Sequence, residues 1–533
     1  MTRFLPLLLL AAFSLQAEEL VKVTRDPRPN PDYVSYAEWR AENPLMGALK
    51  TGPVIVRKAA SARTEALADK GLVALVVAEY LKLPLKDDID QWIYDAEARG
   101  FIIEMSNYSN EGTVEDLKKY LKTLRTEGLV GAVLVGNLPA AWFQVCDDWG
   151  ADGGFNPPDD WYEEFPTDLF LADLDGKWED DSLHVGDASN PMTEGTDGIY
   201  DSHSGNKGAD IWVSRIDASH IKLEEEIALY HEYFSRVHKY RQAELTYPSK
   251  GYFYIDNDWR DGFYDNKMTL VCDVVDEIRD TNLTCATDYK NRLAEDGLFM
   301  AVCVHSSPDA HYFVAPNNPD YDMLQSWLLP SLAPKYGFYN LFACSNCRWV
   351  EKNCMGSMYH FFGSGLASIG STKTGSMLNF DVFNSVLGSG ATWGDAWREL
   401  TNFWISDNDY YPKVQWARSW FMGLCILGDG TLDMKEQKPV AIAEAPLNQP
   451  ISLEVTPFAR EAVELRFSLS NESLVRIDIY DASGRLVAGL SNGIMGSGTH
   501  MFAWRPDNAS QGVYFARLDA NGQSAVRKIT IIR

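Results

Sequence analysis

Two residues with reactive side chains stand at the ends of apolar runs. Cys344 follows Phe338 to Ala343, and His305 follows Leu298 to Val304. A short continuous apolar run suits a buried strand. In an open α/β sheet, ligands and reacting groups gather at the carboxyl ends of the strands. A strand that ends on a cysteine beside one that ends on a histidine would supply a thiol and the base it needs to act as a nucleophile near neutral pH. The competing reading is core packing, since a buried cysteine behaves as a small hydrophobe. Cys347 is a rival nucleophile, with Cys354 further on, and His311 is a rival base. Cys344 and Cys347 also form a C-x-x-C pair of redox or metal type, although no second ligand pair stands at zinc spacing.

A second stretch carries chemistry of another kind. Between Asp147 and Asp210 there are 18 acidic residues against two lysines, Lys177 and Lys207. Within it, Asp173-x-Asp175-Gly-x-x-Glu179-Asp180-Asp181 alternates carboxylates around a glycine turn. A hard cation with six to eight oxygen ligands requires donors of this type. The expectation is a structural Ca²⁺ held by Asp173, Asp175 and Glu179, weighed against a solvated acidic loop. Thiol chemistry itself requires no cofactor.

These groups must be positioned by a regular scaffold, and from Gly71 the chain supplies one. Leu72–Ala78, Phe101–Met105 and Val130–Gly136 read as strands, with Lys86–Ala98 and Val114–Leu124 as helices between them. After the acidic interruption come a strand at Asp210–Ile216, a helix at Lys222–Arg241, and a strand at Gly251–Ile255 that ends on Asp256-Asn257-Asp258. A helix over Met268–Ile278, the His305, Cys344 and Leu366 strands, and closing helices at Thr392–Trp404 and Val414–Leu424 follow. Alternating strands and helices imply a mostly parallel sheet flanked by helices, here over residues 71–434. Residues 435–450 are a Pro-containing linker, and residues 451–533 change to period-two alternation broken by turns such as Ser491-Asn-Gly493, which implies a small β-sandwich.

The N-terminus reads as a secretory signal: Arg3, the apolar run Phe4 to Phe13, and cleavage expected after Ala17. Residues 18–70 read as an ordered extension or a pro-segment. No later run is long enough to span a bilayer. The net charge of −27 argues against nucleic acid or an anionic membrane as partner and suits cations or basic peptides. Eight cysteines in 533 residues do not make a disulfide scaffold, but export permits bridges, and Cys272 and Cys285 are placed to form one.

From Gly71 to Asp433 the chain resembles the gingipain-type cysteine peptidases, which share the caspase-like fold. The resemblance is carried by Leu129-Val-Gly-Ala-Val-Leu-Val-Gly136, Pro166-Thr-Asp168, Asp173-Leu-Asp-Gly176, Ala209-Asp-Ile-Trp-Val-Ser-Arg-Ile216, His305-Ser-Ser307, Ala343-Cys344, Gly363–Thr372 and Leu427-Gly-Asp-Gly430. It implies a secreted endopeptidase with Cys344 as nucleophile, His305 as general base, and Asp256 supporting the histidine, with Asp258 as the alternative. It also implies an oxyanion hole from backbone N–H groups near Ser306 and Cys344. Ser306 departs from the family's glycine after the histidine, which leaves open a catalytically inactive caspase-like protein used for surface binding or adhesion. Residues 451–533 resemble the C-terminal sorting modules of type IX secretion substrates and related immunoglobulin-like modules, on Val475–Leu486, Gly512–Leu518 and Lys528–Arg533. The implied partners are peptide or protein substrates and the secretion machinery, and the implied location is outside the cell or on its surface.

Overall fold

The computed structural model describes residues 33–43, 55–57, 70–108, 112–148, 160–184, 193–260, 267–314, 321–375, 379–406, 420–435 and, with short gaps, 453–532. The expected signal peptide, most of the extension and the linker lie outside these residues. The chain divides into two compact units at Val440/Ala441.

An eleven-stranded sheet runs through the first unit. Its strands are β1 (Ile55–Arg57), β2 (Leu72–Ala78), β3 (Ile102–Tyr108), β4 (Leu129–Val135), β5 (Trp212–Ile216), β6 (Lys250–Ile255), β7 (Val274–Ile278), β8 (Gly297–Cys303), β9 (Tyr336–Phe342), β10 (Ala367–Ser371) and β11 (Leu424–Gly428). Their spatial order is β1-β3-β2-β4-β5-β11-β10-β9-β8-β6-β7. The pairings are parallel except for β1 on β3 and β10 on β11. Every residue of β2, β8, β9 and β10 is buried. Strands covered on both faces read as continuous apolar runs, which is why they stand out in the sequence.

The antiparallel joint between β10 and β11 divides the sheet into two parallel blocks running in opposite directions. The carboxyl ends of β6, β8, β9 and β10 therefore share one edge of the sheet. Ile255 of β6 pairs with Cys303 of β8, and Cys303 pairs with Phe342 of β9. Asp256, His305 and Cys344 thus lie one, two and two residues beyond a single row across three neighbouring strands.

One expected helix, Met268–Ile278, is not helical; of another, Val414–Leu424, residues 414–419 lie outside the described residues and Trp420–Gly423 is a 3₁₀ turn. Met268–Ile278 is a short 3₁₀ turn, Met268–Leu270, followed by edge strand β7, where Val274, Val275 and Ile278 favour extended pairing with β6. Leu424 begins β11 rather than ending a helix, because Leu-Cys-Ile-Leu fills the slot between β5 and β10. The other helices match closely; the longest, Glu226–Arg241, packs beside Lys86–Ala98 and is tied to it by His238 Nδ1 on Asp95 Oδ2 at 2.7 Å.

The second unit holds a three-stranded and a five-stranded sheet around its own core. Val463–Leu469 alternates buried and exposed at every residue, the period-two pattern of a half-covered strand. The turn expected at Ser491-Asn-Gly493 lies inside a strand, Leu486–Met495. That strand is at the sheet edge; Asn492 and Gly493 pair in register with Arg476 and Val475, and its register shifts fall nearer its start.

Candidate active site

His305 opens a three-strand hairpin sheet, His305–Ser307, Ala310–Val314 and Tyr321–Gln325, that continues from the end of β8. Its ring is held from one side by the turn after β6. Asp258 Oδ2 lies 3.2 Å from His305 Nε2, and the Trp259 ring packs on the imidazole with centroids 5.4 Å apart. Trp259 also meets Phe342, the last residue of β9. Of the two carboxylates considered from the sequence, Asp258 touches the histidine, and Asp256 is turned into the protein. Asp256 is fully buried, accepts the Val314 N–H at 3.1 Å, and leaves Oδ2 without a partner.

Burial pushes the Asp256 carboxyl up to about 7, with the Asp258 charge adding and the N–H groups of Asn257 and Val314 opposing. An unfolded aspartate titrates near about 4. Between those values the folded chain holds a proton that the unfolded chain releases. The stability this group contributes is therefore complete below about pH 4 and is lost as pH rises through 7, up to about 4 kcal/mol. Asp256→Asn keeps a neutral acceptor at the same place. It should shrink the difference between melting temperatures measured at pH 5 and pH 8; an unchanged difference would show that Asp256 is ionised throughout.

Cys344 leaves β9 into a tight turn, Ser345–Arg348, in which Ser345 has a left-handed backbone (φ 55°). The thiol is half-buried and accepts the Gly375 N–H at 3.4 Å. Its pKa is raised, first by burial; Glu163 raises it further, and the Gly375 N–H and Lys373 lower it. Glu163 and Lys373 are themselves a buried pair, 3.5 Å apart, so their effects on the thiol oppose each other at short range. Among the described residues no hydrogen bond joins the Cys344 thiol to His305. The strand ends are instead tied by Ser306 Oγ, which donates to Cys344 O at 2.5 Å, and by Asn346 Nδ2, which donates to Ser307 O at 2.6 Å.

The rival residues lie elsewhere. Cys347 is fully buried, with its sulfur so close to Gly356 and Gly370 that a Cβ on either would sit 2.5 or 2.7 Å away. It is a core residue, and so is Cys354, whose thiol donates to Asn346 O. The C-x-x-C reading fails for the same reason. His311 is buried without a hydrogen bond to either nitrogen, and burial pushes it down to about 3, so it cannot carry a proton near neutral pH. All eight cysteines are free; Cys285 caps the helix Ala286–Leu293 rather than bridging to Cys272.

Part of the stretch read as an extension or pro-segment, residues 33–43, packs beside this site, a placement that no local pattern announces. Ser35 and Glu38 form a reciprocal cap that starts the helix Tyr36–Glu42, and Trp39 buries itself against Trp142. Arg348, four residues past the candidate nucleophile, donates to Val34 O at 2.8 Å and lies over the Tyr33 ring. Val34 N–H reaches Glu351 and Tyr36 N–H reaches Glu164. Tyr33 is near enough for Cys344 to raise its hydroxyl pKa, after burial. Arg348→Ala should release this segment and speed alkylation of Cys344 by iodoacetamide about tenfold or more, with core residue Cys354 staying unlabelled as a check against global opening.

Of the three carboxylates expected to hold a cation, the structure brings Asp173 and Asp175 together and leaves Glu179 apart. Asp173 Oδ1 accepts the N–H groups of Asp175 and Gly176, and Oδ2 accepts Trp178 Nε1 at 2.9 Å and His203 Nε2 at 2.7 Å. Asp175 and Asp210 bring carboxylate oxygens within 4.8 Å of it, but Glu179 pairs with Lys177 instead. Asp173 thus already accepts four donors from the protein itself. The Asp-x-Asp-Gly spacing is that of a side-chain-capped turn.

Residues 459–532 match the family model described as Secretion system C-terminal sorting domain. The chain carries a type IX sorting domain. It is thereby a secreted or cell-surface protein, and the sorting domain makes the secretion machinery one of its partners. Among the described residues no helix is long and apolar enough to cross a membrane. No curated protein matches the chain. Among solved structures, the sulfur carrier protein SoxY from Chlorobium limicola f thiosulfatophilum is similar at 16% identity, over 16% of this chain and 76% of that one, with a TM-score of 0.12. That likeness is too slight to bear on fold or function.

Proposed function

We propose that the first unit is a cysteine endopeptidase of the gingipain type on a caspase-like sheet, exported by the sorting domain, which we read as an immunoglobulin-like sandwich. The observation that carries the reading is the register of β6, β8 and β9, which sets a carboxylate-held histidine and a cysteine just past one row of paired residues. Asp258 sits on Nε2, so that nitrogen carries the proton and Nδ1 keeps the lone pair a base needs. His305 takes the Cys344 thiol proton as sulfur attacks the scissile carbonyl carbon, and backbone N–H groups near Ser306 and Cys344 receive the developing oxyanion. The imidazolium then protonates the departing amine as the C–N bond breaks, leaving a thioester. His305 next deprotonates water, which attacks the thioester, and the proton returns to the thiolate as the acid leaves.

A second reading, an inactive surface-binding protein, draws on the raised thiol pKa and the missing hydrogen bond to His305. Catalytic hydrogen bonds are often long before substrate binds, so the first reading stands ahead. The test is digestion of a peptide library with and without a thiol-directed inhibitor. Cleavage that is lost as Cys344 is labelled supports the peptidase; no cleavage, including after removal of residues 1–43, favours the binding protein.

A further inference from the structure

We propose that Ser306 is a positioning residue whose hydroxyl holds the base and the nucleophile in register. The inference rests on the peptidase reading. Ser306 is buried, directly follows His305, and donates Oγ–H to Cys344 O at 2.5 Å. That carbonyl belongs to the peptide unit joining Cys344 to Ser345. The N–H of the same unit donates to Lys373 O at 3.0 Å. Both ends of the unit are therefore pinned, one by the strand that carries the histidine and the other by the loop after β10.

The pinning matters because Ser345 sits in the left-handed region, where a residue with a Cβ stays only if its surroundings hold it. If the Cys344 carbonyl loses this donor it becomes an unpaired acceptor, and rotation of the turn toward another donor would swing the Cys344 side chain. Asn346 provides the other tie between the two elements, but it joins residues one position further from the base and two from the thiol. A hydroxyl has a single proton. Since Ser306 commits it to Cys344 O, the side chain is not a donor to a reacting oxygen, and its role is geometric.

The test uses the full chain with Ser306→Ala, Ser306→Gly and Ser306→Thr. Misplacement of reacting groups by about 1 Å costs about a hundredfold in rate. Alanine and glycine should lower kcat about tenfold or more with KM within about twofold, and threonine, which keeps the hydroxyl, should recover most of the loss. Alanine or glycine variants with wild-type kcat, or a loss carried by KM alone, would overturn the proposal. A second measurement does not need turnover: the pH midpoint of Cys344 alkylation by iodoacetamide. His305→Ala should raise it, because a nearby imidazolium favours the thiolate, and Ser306→Ala should move it in the same direction. If His305→Ala shifts the midpoint and Ser306→Ala does not, Ser306 has no positioning role and the peptidase reading survives. If the wild type cleaves nothing and His305→Ala leaves the midpoint unmoved, the peptidase reading falls and takes this one with it.

Discussion

Cys344→Ala is expected to abolish peptide hydrolysis, and His305→Ala to be nearly as damaging, each by about 10⁴-fold or more in kcat. Cys347→Ala should keep wild-type turnover and lower stability instead. The two cysteines are three residues apart and have different fates. Cys344 directly precedes the tight turn at the open end of β9, while Cys347 drives its sulfur between Gly356 and Gly370. Truncating a fully buried cysteine there leaves a small cavity, at a cost of about 1–3 kcal/mol. The double variant Cys344→Ala with His305→Ala should be little worse than either single change, because base and nucleophile act as one unit. Steady-state kinetics on one cleaved peptide, with thermal melts alongside, separates these outcomes. Hydrolysis that survives Cys344→Ala but not Cys347→Ala would reverse the assignment of the nucleophile.

The second large effect is on folding. Asp173→Ala should destabilise the first unit by about 3–5 kcal/mol, since each buried donor left without an acceptor costs about 1–3 kcal/mol. Four donors would lose their acceptor at once, among them His203 and Trp178, with His203 and Asp173 both buried. Gly176 adds a geometric constraint: a Cβ there would sit 1.9 Å from Asp173 Oδ2. Burial alone would raise the Asp173 pKa, but hydrogen bonds from His203, Gly176 and Trp178 together with the Lys118 charge hold it lowered. Its contribution is thus present above the unfolded pKa, near about 4, and is lost as pH falls below that. A chelator should leave the wild-type melting temperature in place, because these carboxylates serve the protein's own donors. A drop in melting temperature on chelation would restore the cation reading.

Much of this protein was legible in its sequence. Strands such as β2, β8 and β9 are buried on both faces, so each had to be a continuous apolar run, and the chain order of those runs points to a mostly parallel sheet. In the second unit, alternation in Val463–Leu469 marks a strand with one wet face. His305 and Cys344 were visible because each stops an apolar run, where a strand must end. Tertiary structure decided everything that depends on side-chain direction and on partners distant in the chain. Asp256 and Asp258 are both acidic and two residues apart, yet the turn after β6 buries one and points the other at the histidine. The Asp173 motif has cation-like spacing, but only folding brings His203, thirty residues away, onto one of its oxygens. Val274–Ile278 became a strand only because β6 had a free edge to pair with. Local patterns report how much of a segment is buried; which atoms meet there is set by the packing of segments far apart in sequence, where one hydrogen bond more or less decides the role of a side chain.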